Sequence, residues 1–183
     1  EKLKVSEIFF VIWVIGAGCV AVVFVISNAV FGKRVKNTRI LLEKQNEKLP
    51  VYESSAVETP CLFGDLNPAI YVTPEVAENE TVLRHTILHE MMHYRHHDLY
   101  WGFLRCVALS MHWYNPLVWW AAKLSKDDAE LACDEAVIRK LGEEERYAYG
   151  KTLIEMTTPG RNVLLGTATT MEGSKSALKD RIE

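Results

Sequence analysis

The pentapeptide His89-Glu90-Met91-Met92-His93 places two imidazoles and a carboxylate on one short stretch of chain. On a helix, residues four apart share a face, so His89 and His93 can offer nitrogens to a single metal ion at about 2.0–2.1 Å. Glu90 then stands beside the metal without binding it. From there its carboxylate can take the proton of a metal-polarised water as that water attacks a peptide carbonyl. The chemistry implied is zinc-assisted amide hydrolysis. A catalytic zinc site keeps three protein ligands and one open position, so a third ligand is required. His97 shares the helical face, but it lies roughly 12 Å along the axis from His89, too far for one ion to bind all three. The metzincin spacing needs Gly and His where this chain has His96 and Leu99, which excludes that class.

The third ligand is read as Glu130, in the acidic segment Asp127-Asp128-Ala129-Glu130-Leu131-Ala132-Cys133-Asp134-Glu135. Glu130 and Asp134 again share a helical face. A Glu ligand from a second helix is the gluzincin arrangement, and Asp134, one turn later, can accept the outer N–H of a ligating histidine and fix its tautomer. The assignment is therefore His89, His93 and Glu130 on zinc, Glu90 as the base and Asp134 behind. Polar surface is the competing explanation, because five of the six histidines fall between His85 and His97. Against it, Ile87, Leu88, Met91 and Met92 flank the motif, and a buried Glu between two histidines is costly without a metal or partners. His85 and His96 are read as ordinary polar residues. Asp98 is read as a cap of the following helix or a partner of Arg95 or Arg105, and Cys133 as a core thiol rather than a nucleophile.

The elements that must hold these residues can be traced along the chain. It has 183 residues, 49% hydrophobic, with a net charge of −3, which fits one domain plus an appendage. The basic residues form no stripe interleaved with aromatics, so nucleic acid is excluded as a partner. Cys19, Cys61, Cys106 and Cys133 are widely separated, which points to reduced thiols and a cytoplasmic domain rather than a disulfide framework. Residues 8–26 carry no charged or strongly polar side chain, and the run continues to Phe31, long enough for a transmembrane helix. A signal peptide fits less well, because the run exceeds a 7–15-residue apolar core and no small-residue cleavage site precedes Lys33. Lys33, Arg34, Lys36 and Arg39 follow it, whereas Lys2 and Lys4 before it are offset by Glu1 and Glu7, so the C-terminal side is expected in the cytoplasm. The start at Glu1, close to the membrane, suggests a piece of a longer protein.

Residues 33–51 read as a charged, helix-prone stretch. Strand-like residues bounded by Pro and Gly follow at 59–64 and 67–74, and the prolines favour a sheet edge, either idle or holding an extended substrate backbone. Thr73-Pro74 reads as a helix start, and Asn79 or Thr81 as the cap of the helix carrying the metal motif, which should run to about Asp98. Residues 99–124 hold only Arg105 and Lys123 as charges, but Asn115-Pro116 splits them into two apolar pieces too short to cross a membrane. They are expected as buried helices, resting at most on the membrane surface. The second continues through Glu130 to Leu141 and stops at Gly142. A further helix is expected over 143–156, a strand over 163–170 and a helix from Ser174.

Several strings together, HEMMHYRHHD, HWYNPLVWW, ELACDE, the CLFG…P…I…P segment and MEGSKSALKDRI, resemble the BlaR/MecR-type membrane metallopeptidases, sensor-transducers of β-lactam resistance, and their relatives. The resemblance covers roughly residues 50–183. It implies a mainly α domain with a small β-sheet (α+β), minigluzincin-like, on a transmembrane helix: span 1–32, juxtamembrane linker 33–49, cytoplasmic zinc peptidase domain 50–183. It implies Zn2+ on His89, His93 and Glu130, Glu90 as base and Asp134 behind. The implied activity is endopeptidase cleavage of a cytoplasmic transcriptional repressor, and of the chain itself, in antibiotic or envelope-stress signalling, with self-association allowed. Tyr147, Tyr149, Arg146, His112 and Arg181 are all open as donors to the oxyanion. Two alternatives stand beside this reading: a housekeeping membrane protease of the prenyl-protein or heat-shock type, and a catalytically silent receptor scaffold.

Overall fold

A computed structural model of the chain describes residues 4–42, 48–64, 66–156 and 169–170. It opens with α1 (Val5–Thr38), whose side chains are mostly exposed and which is long and apolar enough to cross a membrane. At 1.5 Å per residue it is about 51 Å long, more than the roughly 30 Å of a bilayer core. The helix continues past the basic residues at 33–36 because its last turns find a hydrophobic seat. Val35 is fully buried with Cys61, Phe63 and Tyr71, and Phe31 meets the Phe63 ring edge-on at 5.0 Å. A Cβ on Gly32 would lie 3.1 Å from that ring, so the small residue allows the close approach. The charged stretch expected to be helical is thus helix to Thr38 and then strand.

That strand, β1 (Arg39–Leu41), begins a five-stranded sheet with β2 (Val51–Ser54), β3 (Cys61–Phe63), β4 (Ala69–Val72) and β5 (Thr169–Thr170), in the order β1-β2-β4-β3-β5. β2 runs antiparallel to β1, with Ile40 opposite Glu53, and parallel to β4, with Tyr52 opposite Tyr71. β3 and β4 are antiparallel neighbours joined through Gly64, whose φ of +109° suits glycine and where a Cβ would sit 2.6 Å from the Asn67 carbonyl oxygen. The prolines do not mark an edge. β4 is the central strand and every one of its residues is buried. Pro68 and Pro74 lie just outside it, where a missing N–H removes no ladder bond. β3 in turn carries β5 on its outer side, with Leu62 opposite Thr169.

The helices follow the punctuation in the sequence. Thr73 accepts from the Val76 N–H to cap α2 (Pro74–Glu78), and Asn79 accepts from the Val82 N–H to cap α3 (Glu80–His96). His97 ends α3 in the left-handed region (φ 60°, ψ 35°), and α4 (Asp98–Met111) starts at the next residue. Asn115 caps α5 (Pro116–Leu141) over Pro116, and α6 (Glu143–Met156) follows Gly142. The main core lies between one face of the sheet and these helices: Leu62, Ile70 and Val72 meet Ile87 and Met91 of α3, Cys133 and Val137 of α5, and Tyr149 and Leu153 of α6. α4 and the first half of α5 are not buried helices, since much of their apolar surface faces outward. The strand expected over 163–170 is described only at Thr169–Thr170, and the helix expected from Ser174 lies outside the described residues.

Ile70, fully buried in the central strand, should be among the costlier truncations. Ile70→Ala is expected to lower unfolding stability by about 2–5 kcal/mol. Leu66→Ala, at an exposed loop position, should change it by less than about 0.5 kcal/mol, both read as denaturation midpoints of the detergent-solubilised chain.

Candidate metal centre

α3 carries five buried polar side chains, His85, Thr86, His89, Glu90 and His93, and α5 brings Glu130 and Asp134 against His89 and His93. The Nε2 atoms of His89 and His93 face each other at 3.0 Å. Glu130 closes a triangle, with Oε2 3.4 Å from His89 Nε2 and Oε1 3.6 Å from His93 Nε2. A tetrahedral ion with bonds of about 2.0–2.1 Å spaces its ligand atoms about 3.3 Å apart, so these edges fit a divalent zinc-sized ion. His89, His93 and Glu130 are thus brought together as the sequence spacing suggested.

Behind the triangle, each imidazole is oriented by a carboxylate. The Nδ1 of His89 lies 3.0 Å from Asp134 Oδ1 and 2.9 Å from Tyr149 Oη, and the Tyr149 hydroxyl donates to the same Asp134 oxygen at 2.6 Å. The Nδ1 of His93 donates to Asp98 Oδ2 at 2.6 Å. Both contacts place N–H on Nδ1 and leave the Nε2 lone pair facing the space between His89, His93 and Glu130, where an ion could be held. Cys133 adds a thiol 3.6 Å from Asp98 Oδ2 and 3.3 Å from His93 Nδ1. Its burial, followed by the nearby carboxylates, pushes its pKa up, so it is an inert core thiol rather than a nucleophile.

Glu90 is fully buried, and neither of its carboxylate oxygens has a hydrogen-bond partner of regular geometry. Burial pushes its pKa up to about 7, against the opposing pull of His93 and His89. In the same metal-free setting burial pushes His89 down, but Asp134 and Glu130 more than offset this and hold it at about 10. A dry carboxylate titrating near neutrality beside a ligand triangle suits a general base.

Asp98 was expected to cap a helix or to pair with an arginine; instead it accepts from His93. Only its position just past the end of the motif helix could have hinted at that contact. Tyr149 was one of several oxyanion donors considered, but it sits behind His89. Of the others, Tyr147 and Arg146 are exposed on α6, His112 lies at the α4–α5 turn and Arg181 is outside the described residues. His85 is fully buried, not a surface residue: its Nδ1 meets Thr152 Oγ1 at 2.8 Å and its ring stands edge-on to Tyr149, docking α6 on α3. His96 packs beside the Cys133 sulfur at 3.5 Å, and His97 forms the left-handed turn. A cavity of about 180 Å³ opens beside His93, lined also by Leu66, Tyr94 and Tyr100.

Comparison with known proteins adds a family context. A family model described as BlaR1 peptidase M56 matches residues 1–183. The chain is 25% identical over 194 aligned residues to the regulatory protein BlaR1 of Bacillus licheniformis, covering 97% of this chain and 32% of that protein. It is 24% identical over 161 residues to the methicillin resistance mecR1 proteins of Staphylococcus aureus and Staphylococcus epidermidis, covering 86% of this chain and 28% of each. The chain therefore spans about a third of the length of these curated relatives.

The buried Glu90 makes a pH-dependent prediction for the EDTA-treated chain. Its folded pKa of about 7 lies above the unfolded value of 4.5, so ionisation costs nothing below pH 4.5, and the cost grows to a plateau above pH 7. Glu90→Gln should therefore stabilise the metal-free chain at pH 8 by up to about 3 kcal/mol. Denaturation midpoints of the two proteins should converge as the pH falls towards 4.5.

Proposed function

The chain belongs to the BlaR1 peptidase M56 family, and from that premise we propose that it is a membrane-anchored zinc endopeptidase. The observation that carries this reading is the triangle of His89, His93 and Glu130 beside a fully buried Glu90. A zinc ion held by those three residues would supply the Lewis acidity that lowers the pKa of a bound water and polarises the scissile carbonyl. Glu90 accepts the proton from the attacking water and returns it to the leaving amine; burial keeps its pKa high enough to do both near neutrality. Asp134 with Tyr149, and Asp98, hold the two imidazoles in the tautomer that presents Nε2. The metal assignment, the base and the supporting carboxylates are all parts of this proposal.

The domain reading is a membrane helix within 1–32, a juxtamembrane segment over 33–49 and the peptidase domain from 50, with the basic residues at 33–39 favouring a cytoplasmic peptidase. The substrate of this reading is a cytoplasmic protein, a transcriptional repressor; the relatives' names, a regulatory protein and methicillin resistance proteins, support a regulatory setting in antibiotic response and do not name the substrate. Self-cleavage is supported by the pairing of Thr169 and Thr170 with β3, the strand that packs against α3. That contact holds Thr169 and Thr170 in extended form on the strand next to Glu90's helix.

Replacing Glu90 tests the reading most directly. Glu90→Ala should reduce cleavage of a co-expressed repressor, and of the chain itself, by at least about 10²-fold while the purified protein still binds one zinc per chain. Glu130→Ala should instead weaken zinc retention against a competing chelator by about 10–100-fold or more. Cleavage that persists in Glu90→Ala would exclude the assigned base, and an unchanged zinc affinity in Glu130→Ala would exclude the assigned third ligand.

A further inference from the structure

The hairpin formed by α4 and the first half of α5 presents an outward apolar face. On α4, Phe103, Leu104, Val107 and Met111 recur at helical spacing, and Leu117, Trp120 and Leu124 do the same on α5; all are exposed. Between Leu99 and Ala122 the only charged side chain is Arg105. The opposite face of the hairpin packs along α1. Phe24 is buried with Leu109 and Ala122, Trp113 closes over Gly16, and the Trp13 indole N–H donates to the Met111 carbonyl at 2.9 Å. Trp13 lies about 20 residues before Lys33 on α1, or roughly 30 Å at 1.5 Å per residue, the thickness of a bilayer core. The tip of the hairpin is therefore level with the far part of the membrane span.

At the turn the carbonyls of Met111, His112, Trp113 and Asn115 are met within the protein, as a place without water demands, while the Trp113 indole N–H is buried without a partner among the described residues. Carbonyls at a helix end have no partner in their own helix, and inside lipid they must find one in the protein. Here Met111 is satisfied by the Trp13 indole, His112 by the Asn115 N–H at 2.9 Å, Trp113 by the Trp119 indole at 3.0 Å and Asn115 by the Val118 N–H at 3.2 Å. The Asn115 side chain accepts from the Leu117 N–H at 3.0 Å. A turn in water has solvent for these groups and does not need two indoles reaching across to cap carbonyls.

We propose that α4–α5 is a re-entrant membrane hairpin. It enters the bilayer beside α1 at Asp98, turns at residues 112–115 and returns along α5, with its outward face in contact with lipid acyl chains. Lipid is the occupant because the hairpin packs along α1, whose exposed apolar surface is long enough to cross a bilayer. The cavity beside His93, walled by Tyr100 of α4, then opens at the membrane surface. The inference rests on reading α1 as a membrane span, so the test follows both.

Cysteines at Phe103, Val107, Leu117 and Trp120, in a chain also carrying Cys19→Ala and Cys106→Ala, would be nitroxide-labelled and reconstituted in phosphatidylcholine–phosphatidylglycerol vesicles. The remaining cysteines, Cys61 and Cys133, are buried. Power-saturation electron paramagnetic resonance with oxygen and with the polar relaxant NiEDDA would be compared with labels at Val22 on α1 and Arg139 near the end of α5. Each variant should keep the parental circular dichroism spectrum. The expected result is oxygen access like that at Val22 and NiEDDA access several-fold below that at Arg139. Strong NiEDDA access at the hairpin with a lipid-like Val22 would overturn the hairpin and leave the span intact; NiEDDA access at Val22 as well would remove both. Labels shielded from both relaxants would mean that protein covers the face, a second copy or another segment, and would also overturn the proposal.

Discussion

The arrangement depends on gathering two carboxylates and two imidazoles into a space that water does not reach. His89, Glu90, His93 and Glu130 are each at most 4% exposed, with Asp134 and Asp98 immediately behind them. Burying an ionised group costs several kcal/mol unless its charge is met. Four such groups within reach of one another would be a liability in a purely structural core. Here the cost is offset by geometry: three atoms converge where a cation fits, and each imidazole has a carboxylate on its far side. The remaining carboxylate, Glu90, is the one whose charge is least compensated, and its burial raises its pKa to about 7.

Several local features of the fold follow from holding this cluster. α6 does more than fill the core, since Tyr149 and Thr152 reach back to Asp134 on α5 and to His89 and His85 on the motif helix. The junction between α3 and α4 is equally constrained. A straight continuation of α3 would carry Asp98 away from His93; the left-handed conformation of His97 folds the chain so that Asp98 both starts α4 and accepts from His93. Histidine tolerates that conformation better than a β-branched residue would.

What could be read from the chain differed between the site and its supports. The gathering of His89, His93 and Glu130 was legible because side chains four apart share a helical face, as His89/His93 and Glu130/Asp134 do. Thr73 was equally legible as a cap and Asn79 as one of two candidates, because such side chains act within three residues, whereas Asn115 was read only as part of the break at Asn115-Pro116 and also caps α5. Contacts made across elements left no such trace. Asp98 on His93 depends on one backbone torsion at His97, and Tyr149 behind Asp134 depends on how α6 crosses α5. β2 was missed because Val51, Tyr52 and Glu53 alternate too briefly beside a charged stretch, and its stability comes from the parallel partner β4. The prolines around β4 misled for a related reason: they flank the strand without entering it.

The sheet and the α4–α5 hairpin meet at α3, and within the proposed function this limits how a substrate could reach Glu90. Leu62 of β3 lies in the main core with Met91 of α3, next to Glu90, so the sheet side of the base is closed by the protein itself. The outer edge of β3 is paired with Thr169 and Thr170. Another extended chain can use that edge only by displacing them, because each strand edge has one set of backbone donors and acceptors. Within the proposed function, the chain's own segment and an external substrate are therefore competitors for one surface. The local segment has the advantage of being tethered, which raises its effective concentration without adding any contact. Whatever loosens its hold on β3 would favour cleavage of a separate protein, with no change needed at the metal centre.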